Sequence, residues 1–259
     1  MRLTNGLFRV AVCTTALLAL PQSASASEAG QEWEFALSPL FLWAQSVNGD
    51  STLRGNTSEL ELDFKDDILT NLEGALTFHV EARRGKATLF AQYMFSDLEP
   101  GAEATGELAQ ANVDVDFEEL ISEVGATWAI SETQATRWEF LGGARYIDQE
   151  LKGTLTLTLP EQERVTAVRG GDDWWHVFAG LRVAHSLSDR WTLRARGDLG
   201  YGGTDNTAFN ASLMFDYRFS DWGAAFIGAR YLYLDYLNSD EFGFDGTKAG
   251  PAAGVTLRW

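Results

Sequence analysis

Cysteine, histidine and positive charge are all scarce in these 259 residues, and each scarcity excludes something. There is one cysteine. It is Cys13, inside an apolar run near the N-terminus, so once that run is removed the chain has neither disulfides nor thiol chemistry. The three histidines, His79, His176 and His185, stand far apart without metal-ligand spacing, so neither a metal nor a cofactor is expected. Lys and Arg number 20 against 37 Asp and Glu, a formal net charge of −17. So acidic a chain is a poor partner for nucleic acid. No run approaches eighteen consecutive apolar residues, so a membrane-spanning helix is excluded and any insertion has to use strands. A mean hydropathy of −0.15 is no objection, since such strands are half polar.

What is present begins with an export signal. Arg2 and Arg9, the apolar run 10–20, Pro21 and the small-residue tract with Ala24-Ser25-Ala26 read as a cleaved secretory peptide over 1–26. Residues 27–259 then form a single domain. Its end, 250–259, alternates with period two. Pro251, Ala253, Val255, Leu257 and Trp259 share one face, and Gly250, Ala252, Gly254, Thr256 and Arg258 the other. An aliphatic and aromatic face opposite a Gly, Thr and Arg face is the pattern of a strand between lipid and a polar lumen.

The pattern recurs. Alternating segments cover 33–43, 75–83, 87–96, 120–130, 138–146, 175–187, 191–201, 207–219, 225–236 and 250–259. In the first, Trp33, Phe35, Leu37, Phe41 and Trp43 are assigned to the lipid face. Val113, Val115 and Phe117 have the opposite parity to the segment that follows, which predicts a bulge near Glu118. Short turns alternate with long connections, 44–73, 97–117, 147–174, 202–206 and 237–247, as periplasmic turns alternate with extracellular loops. The fold expected is therefore all-β, a transmembrane antiparallel up-and-down β-barrel of about ten strands. Twelve follow if the hairpin 153–168 enters the wall, and eight remains possible. Aromatic residues near segment ends, such as Trp128, Trp138, Trp175, Trp191 and Tyr201, fit interfacial girdles.

Leu-Ser-Pro-Leu-Phe-Leu-Trp at 37–43, Asp-Ile-Leu-x-Asn-Leu at 67–72, Glu-Ala-Arg-Arg-Gly at 81–85 and Gly-Ala-Arg-Tyr-Leu at 228–232, with the terminal aromatic as insertion signal, resemble a family of small, porin-like bacterial outer-membrane barrels. The resemblance covers the whole mature chain. It implies fold and location, the bacterial outer membrane, and brings no catalytic residue with it.

With the faces so assigned, the lumen receives Glu34, Glu81, Glu123, Glu139, Asp198 and Asp216 together with Arg145, Arg182, Arg194, Arg196, Arg218 and Arg230. Most acids come from the first half of the chain and most arginines from the second, which places them on different arcs of the wall. One reading is a narrow porin or small-solute channel with an Arg and Glu lining. The alternative is a closed structural or surface-interaction barrel acting through its acidic loops, its inward ions paired into a polar core. Ser96 and Ser122 could share the lumen side with His79, but nothing sets them in reach, so no enzyme is expected. Segment 64–72 is either a short amphipathic helix at the mouth or a loop turn. The acidic runs at 59–67 and 114–119 are solvated faces or sites for cations that bridge lipopolysaccharide. Expected partners are outer-membrane lipid and lipopolysaccharide, with the barrel-assembly machinery during insertion, and the protein is expected to be a monomer.

Overall fold

The computed structural model describes residues 32–99, 101–105, 110–159, 162–238 and 241–259. The export segment 1–26 lies outside the described residues. The described residues form thirteen strands: β1 (Glu34–Trp43), β2 (Ser46–Leu53), β3 (Asn56–Leu62), β4 (Leu72–Arg84), β5 (Ala87–Leu98), β6 (Gly101–Thr105), β7 (Gln110–Glu132), β8 (Thr136–Leu159), β9 (Gln162–Ser186), β10 (Trp191–Gly203), β11 (Asn206–Arg218), β12 (Gly223–Asn238) and β13 (Phe242–Arg258). Ten of them, all but β2, β3 and β6, run antiparallel around a closed barrel, and β13 pairs with β1 to complete the ring. Trp259 strengthens that seam, exchanging two backbone hydrogen bonds with Phe35 at 2.9 and 3.1 Å. Closure is what lets a sheet cross hydrocarbon, because it leaves no edge of unpaired backbone groups.

The outer surface carries the apolar half of the alternation. Leu76, Leu89, Val124, Phe140, Val177, Leu199, Leu213 and Ile227 point outward and are exposed. Aromatic pairs mark the two ends of this band, Trp191 with Tyr217 and Phe219 with Trp222 near the short turns, Tyr146 with Trp175 toward the mouth. Toward the mouth the sidedness reverses: Ile147, Leu232, Leu234, Phe242 and Phe244 point inward and are buried with Trp174. There the outside is water, and apolar side chains gain by turning in.

Three expectations are corrected here. Phe41 and Trp43 face the lumen, because an extra residue between Leu37 and Leu40 shifts the register against β13 and flips everything after it. Phe41 lies 5.9 Å from Phe226 inside. No bulge occurs near Glu118: β7 pairs in continuous register with β5 and β8 through Phe117 to Leu120. Its change of parity is the reversal of sidedness, not an interruption. The long connections are mostly strand as well. The hairpin at 153–168 continues β8 and β9 above the membrane, so it leaves the wall at ten. β2 carries on where β1 ends, pairing with the upper part of β13, and β3 pairs with β2.

Segment 64–72 is a short helical turn, Phe64–Ile68 followed by Leu69–Asn71. The Asp63 carboxylate caps it by accepting from the backbone N–H of Lys65 and Asp66 at 2.8 and 3.2 Å. Ile68 packs into the upper core while Leu69 and Leu72 stay exposed.

The outward band sets a measurable expectation. Leu213 lies midway along the lipid face of β11, between Phe209 and Tyr217, and Leu213→Arg should cost about 2–4 kcal/mol of folding free energy in vesicles. Leu234→Ala, in the upper core, should cost a similar amount, about 2–5 kcal/mol, by leaving a cavity. Denaturant titration in lipid checks both, and a cost near zero at Leu213 would overturn the assignment of that face to lipid.

Candidate functional site

Inside the barrel, charges from four strands meet. Arg145 of β8 donates from Nε to Glu123 Oε1 at 2.9 Å and from Nη2 to Asp198 Oδ1 at 2.8 Å. Arg196 of β10 donates from Nε to the other Asp198 oxygen at 2.7 Å, and its Nη1 lies 2.9 Å from Glu123 Oε2. The four form a closed ring across the lumen. Arg230 of β12 joins it through Glu123 at 3.1 Å and through Asn210, whose amide donates to Asp198 at 2.7 Å. The side chains of Glu123, Arg145 and Asp198 have no exposed surface.

Aromatic rings close the space around the guanidinium groups. Arg145 and Arg196 lie 5.1 and 5.2 Å from the centroid of Phe178, and Arg230 lies 4.8 Å from that of Trp43. Such faces favour a weakly hydrated planar cation. Gly143, on the same inward face as Arg145, leaves room for this layer: a Cβ there would stand 2.8 Å from the Phe178 ring.

Two further layers flank the ring. Toward the short turns, Arg182 donates to Glu139 and Glu81, each at 2.5 Å, and Arg194 grips Asp216 with two bonds of 2.6 and 2.7 Å. Toward the mouth, Lys248 pairs with Glu119, which also accepts from Gln149 at 2.7 Å. Above that, Asp172 of β9 accepts from the Tyr236 hydroxyl at 2.7 Å and the Asn238 amide at 2.6 Å, and Trp174 stacks on Tyr236 at 4.1 Å. These contacts join β9 to β12 directly, above the shorter hairpin of β10 and β11.

Of the twelve residues placed in the lumen from sequence, ten therefore meet in two connected layers. The other two stand at the short-turn rim: Glu34 pairs with Arg83 at 2.7 Å and is largely exposed, and Arg218 donates to the backbone oxygen of Asp189. Acids and arginines do not line separate arcs facing an open path, but interlock across the interior. Glu119, Gln149, Asn210 and Lys248 were missed as members of these layers. Lys248 has the same parity as Gly250, which was a usable signal, but it fell just outside the expected last strand.

His79 pairs through Nε2 with Glu81 at 3.1 Å, while Ser122 lies opposite Tyr93 on the outward face of β7, so Ser122 cannot share the lumen with it. Among the described residues, no group of three or more His, Cys, Asp or Glu side chains could hold a metal ion.

No protein-family model matches the chain, and no curated protein is similar to it. Among solved structures it is similar to the outer membrane protease OmpT from Escherichia coli, at 7% identity, over 91% of this chain and 99% of that one, with a TM-score of 0.54. It is more remotely similar to the attachment invasion locus protein Ail of Yersinia pestis, at 11% identity, over 89% and 100% of the two chains, with a TM-score of 0.31. The P. putida toluene transporter TodX stands at 13% identity, over 90% of each chain, with the same score. The fold is that of a bacterial outer-membrane β-barrel. The expectation that the chain is not an enzyme is overturned: the barrel whose fold it shares in OmpT is a protease, so this architecture carries catalysis and is no ground for excluding it. At 7% identity the likeness shows the fold alone, and no catalytic residue is carried across.

The mouth offers a titration. Burial alone would raise the Asp172 carboxyl, but hydrogen bonds from Tyr236, Asn238 and the Asp173 backbone outweigh it and hold the group below the usual range. A carboxyl depressed in the folded state adds stability above its unfolded pKa of about 3.9, and that stability is lost as pH falls through the folded value. Tyr236→Phe should therefore move the Asp172 pKa upward, read by carboxyl NMR, and shift the loss of the mouth contacts to higher pH.

Proposed function

We propose that this protein is a monomeric outer-membrane barrel whose lumen is sealed by its own side chains, and that it acts as a binding scaffold from its mouth rather than as a pore. The observation that carries the reading is the ring of Glu123, Arg145, Asp198 and Arg196. Three of its four side chains have no exposed surface, and Arg196 keeps only a little. An ion crossing the barrel would have to break these pairs, and each freed charge would be stranded away from water. A ten-stranded wall gives little room to bypass them. In the apolar upper core, the strand extensions and the Asp172 to Tyr236 clasp hold the mouth rigid, as a binding surface requires.

A narrow Arg-lined and Glu-lined channel is the competing reading, and one measurement separates the two. The wild-type protein should give no steady conductance in planar bilayers. Arg194→Ser with Arg196→Ser should lower the unfolding temperature without opening a path, because three carboxylates lose partners. Arg145→Ala should cost about 3–5 kcal/mol by leaving Glu123 and Asp198 without it. A wild-type conductance that becomes larger and more cation-selective in the double variant would overturn the sealed barrel.

A further inference from the structure

The wall of this barrel is not paired all the way up. β1 and β4 are in register only from Glu34 opposite Arg83 to Ser38 opposite His79. Beyond Ser38, β1 continues to Trp43 and β4 runs up to Leu72 with no backbone ladder between them, although both are paired on their other sides. One side chain compensates: Thr77 Oγ1 accepts from the Phe41 N–H at 3.1 Å and donates to the Phe41 carbonyl. Above it the strands part, and the helical turn of Phe64–Ile68 sits over the opening.

A cavity of about 450 Å³ occupies this separation, within the range of about 300–1,000 Å³ of small-molecule sites. It is lined from inside by Phe41, Met94 and Ile121, which are buried, from outside by Leu42 and Ile227, which are exposed on the lipid-facing surface, and from above by Leu69 of the helical turn. It therefore passes through the wall. Ala75 has the same inward parity as Thr77 and His79 yet is exposed, as expected of a residue on the edge of an opening. The cavity shares Val47, Leu62, Leu98, Phe117 and Lys248 with a second apolar cavity, of about 660 Å³, at the mouth. The one cation on this shared wall, Lys248, is neutralised by Glu119.

We infer that the opening between β1 and β4 is a lateral binding site for the hydrocarbon chain of a lipid from the surrounding membrane leaflet. The surfaces on both sides of the wall are apolar, and the rim lies in the band of side chains that already faces lipid, so a chain can enter without crossing a polar surface. Water there would meet few partners, and the paired Lys248 leaves no free charge to select a headgroup. The chain, not the headgroup, is recognised. This inference rests on the sealed barrel, since an open lumen would flood the same cavity with water.

Trp43 reports on it, because it lines the cavity with its ring turned inward against Arg230. The folded protein is placed in phosphatidylcholine vesicles whose acyl chains are either plain or brominated, and the Trp43 signal is taken as the difference between wild type and Trp43→Phe. Brominated chains should at least halve that difference signal. Ala75→Phe, which fills the opening, should restore it, and Ala253→Phe on the outer rim serves if the first variant folds poorly. Equal Trp43 emission in both vesicles overturns the proposal, as does quenching that survives the cavity-filling change. Entry of an apolar molecule from the mouth alone would leave the bromine effect absent. Quenching by aqueous iodide together with ionic conductance would instead show that the lumen is open and the sealed barrel wrong, whichever way the bromine result falls.

Discussion

Everything in this structure depends on one constraint: a backbone crossing hydrocarbon must find all its hydrogen bonds within the protein. The ring of ten strands meets it, with β13 returning to β1 and Trp259 tying the last residue to Phe35. Ten strands in turn set a narrow interior, so the inward half of each strand has to fill space as well as face a lumen. The residues filling it are charged and therefore have to be paired. Arg145 between Glu123 and Asp198 is the central case, with partners drawn from two other strands, β7 and β10. The separation of β1 from β4 is the exception, and there a threonine hydroxyl stands in for the missing ladder at Phe41.

The second organising fact is that the chain has two opposite solvents along one strand. Within the band, Trp138 and Phe140 of β8 point outward while Glu139 is buried inside. Further along the same strand Ile147 is inward and buried, and the outward Glu150 meets Lys152 and Arg169. Nothing in the backbone changes from Phe140 to Glu150; pairing with β7 and β9 is continuous there. What changes is which side is wet. A bulge is therefore the wrong inference from a change of parity near the mouth, whereas at Pro39 the register against β13 does shift by one residue although the apolar pattern runs on.

This explains how much could be read from the sequence. The ten segments and their outward faces were legible because lipid enforces alternation strongly, as at Phe209 to Phe219. The turn ends were legible from Arg84-Gly85 and Ser188-Asp189-Arg190. The extensions above the membrane were not, since Gly, Thr and acidic residues there look like loop. The flip of Phe41 and Trp43 was hidden because one extra residue leaves composition unchanged. Within the lumen, parity placed Glu123, Arg182 and Arg196 inside but could not say who meets whom. Strand tilt brings Arg182 to Glu81, 101 positions away, and no local pattern encodes that.

The ionic interior also follows from the route to the membrane. Replacing a buried ion pair by well-packed apolar residues is often neutral or stabilising in a finished fold, so stability alone does not explain why Glu123, Arg145 and Asp198 are charged. A strand apolar on both faces, however, would offer hydrocarbon no preferred side, and in water it would expose a long run with high strand propensity and no charge. Charged inward positions interrupt that run and fix which face turns to lipid, because a one-residue slip would place Arg194 and Arg196 in the hydrocarbon. The mutual pairing of these groups in the closed barrel then removes most of the cost of having carried them there. Specificity of register, not strength of the lumen contacts, is what the arginines and carboxylates supply.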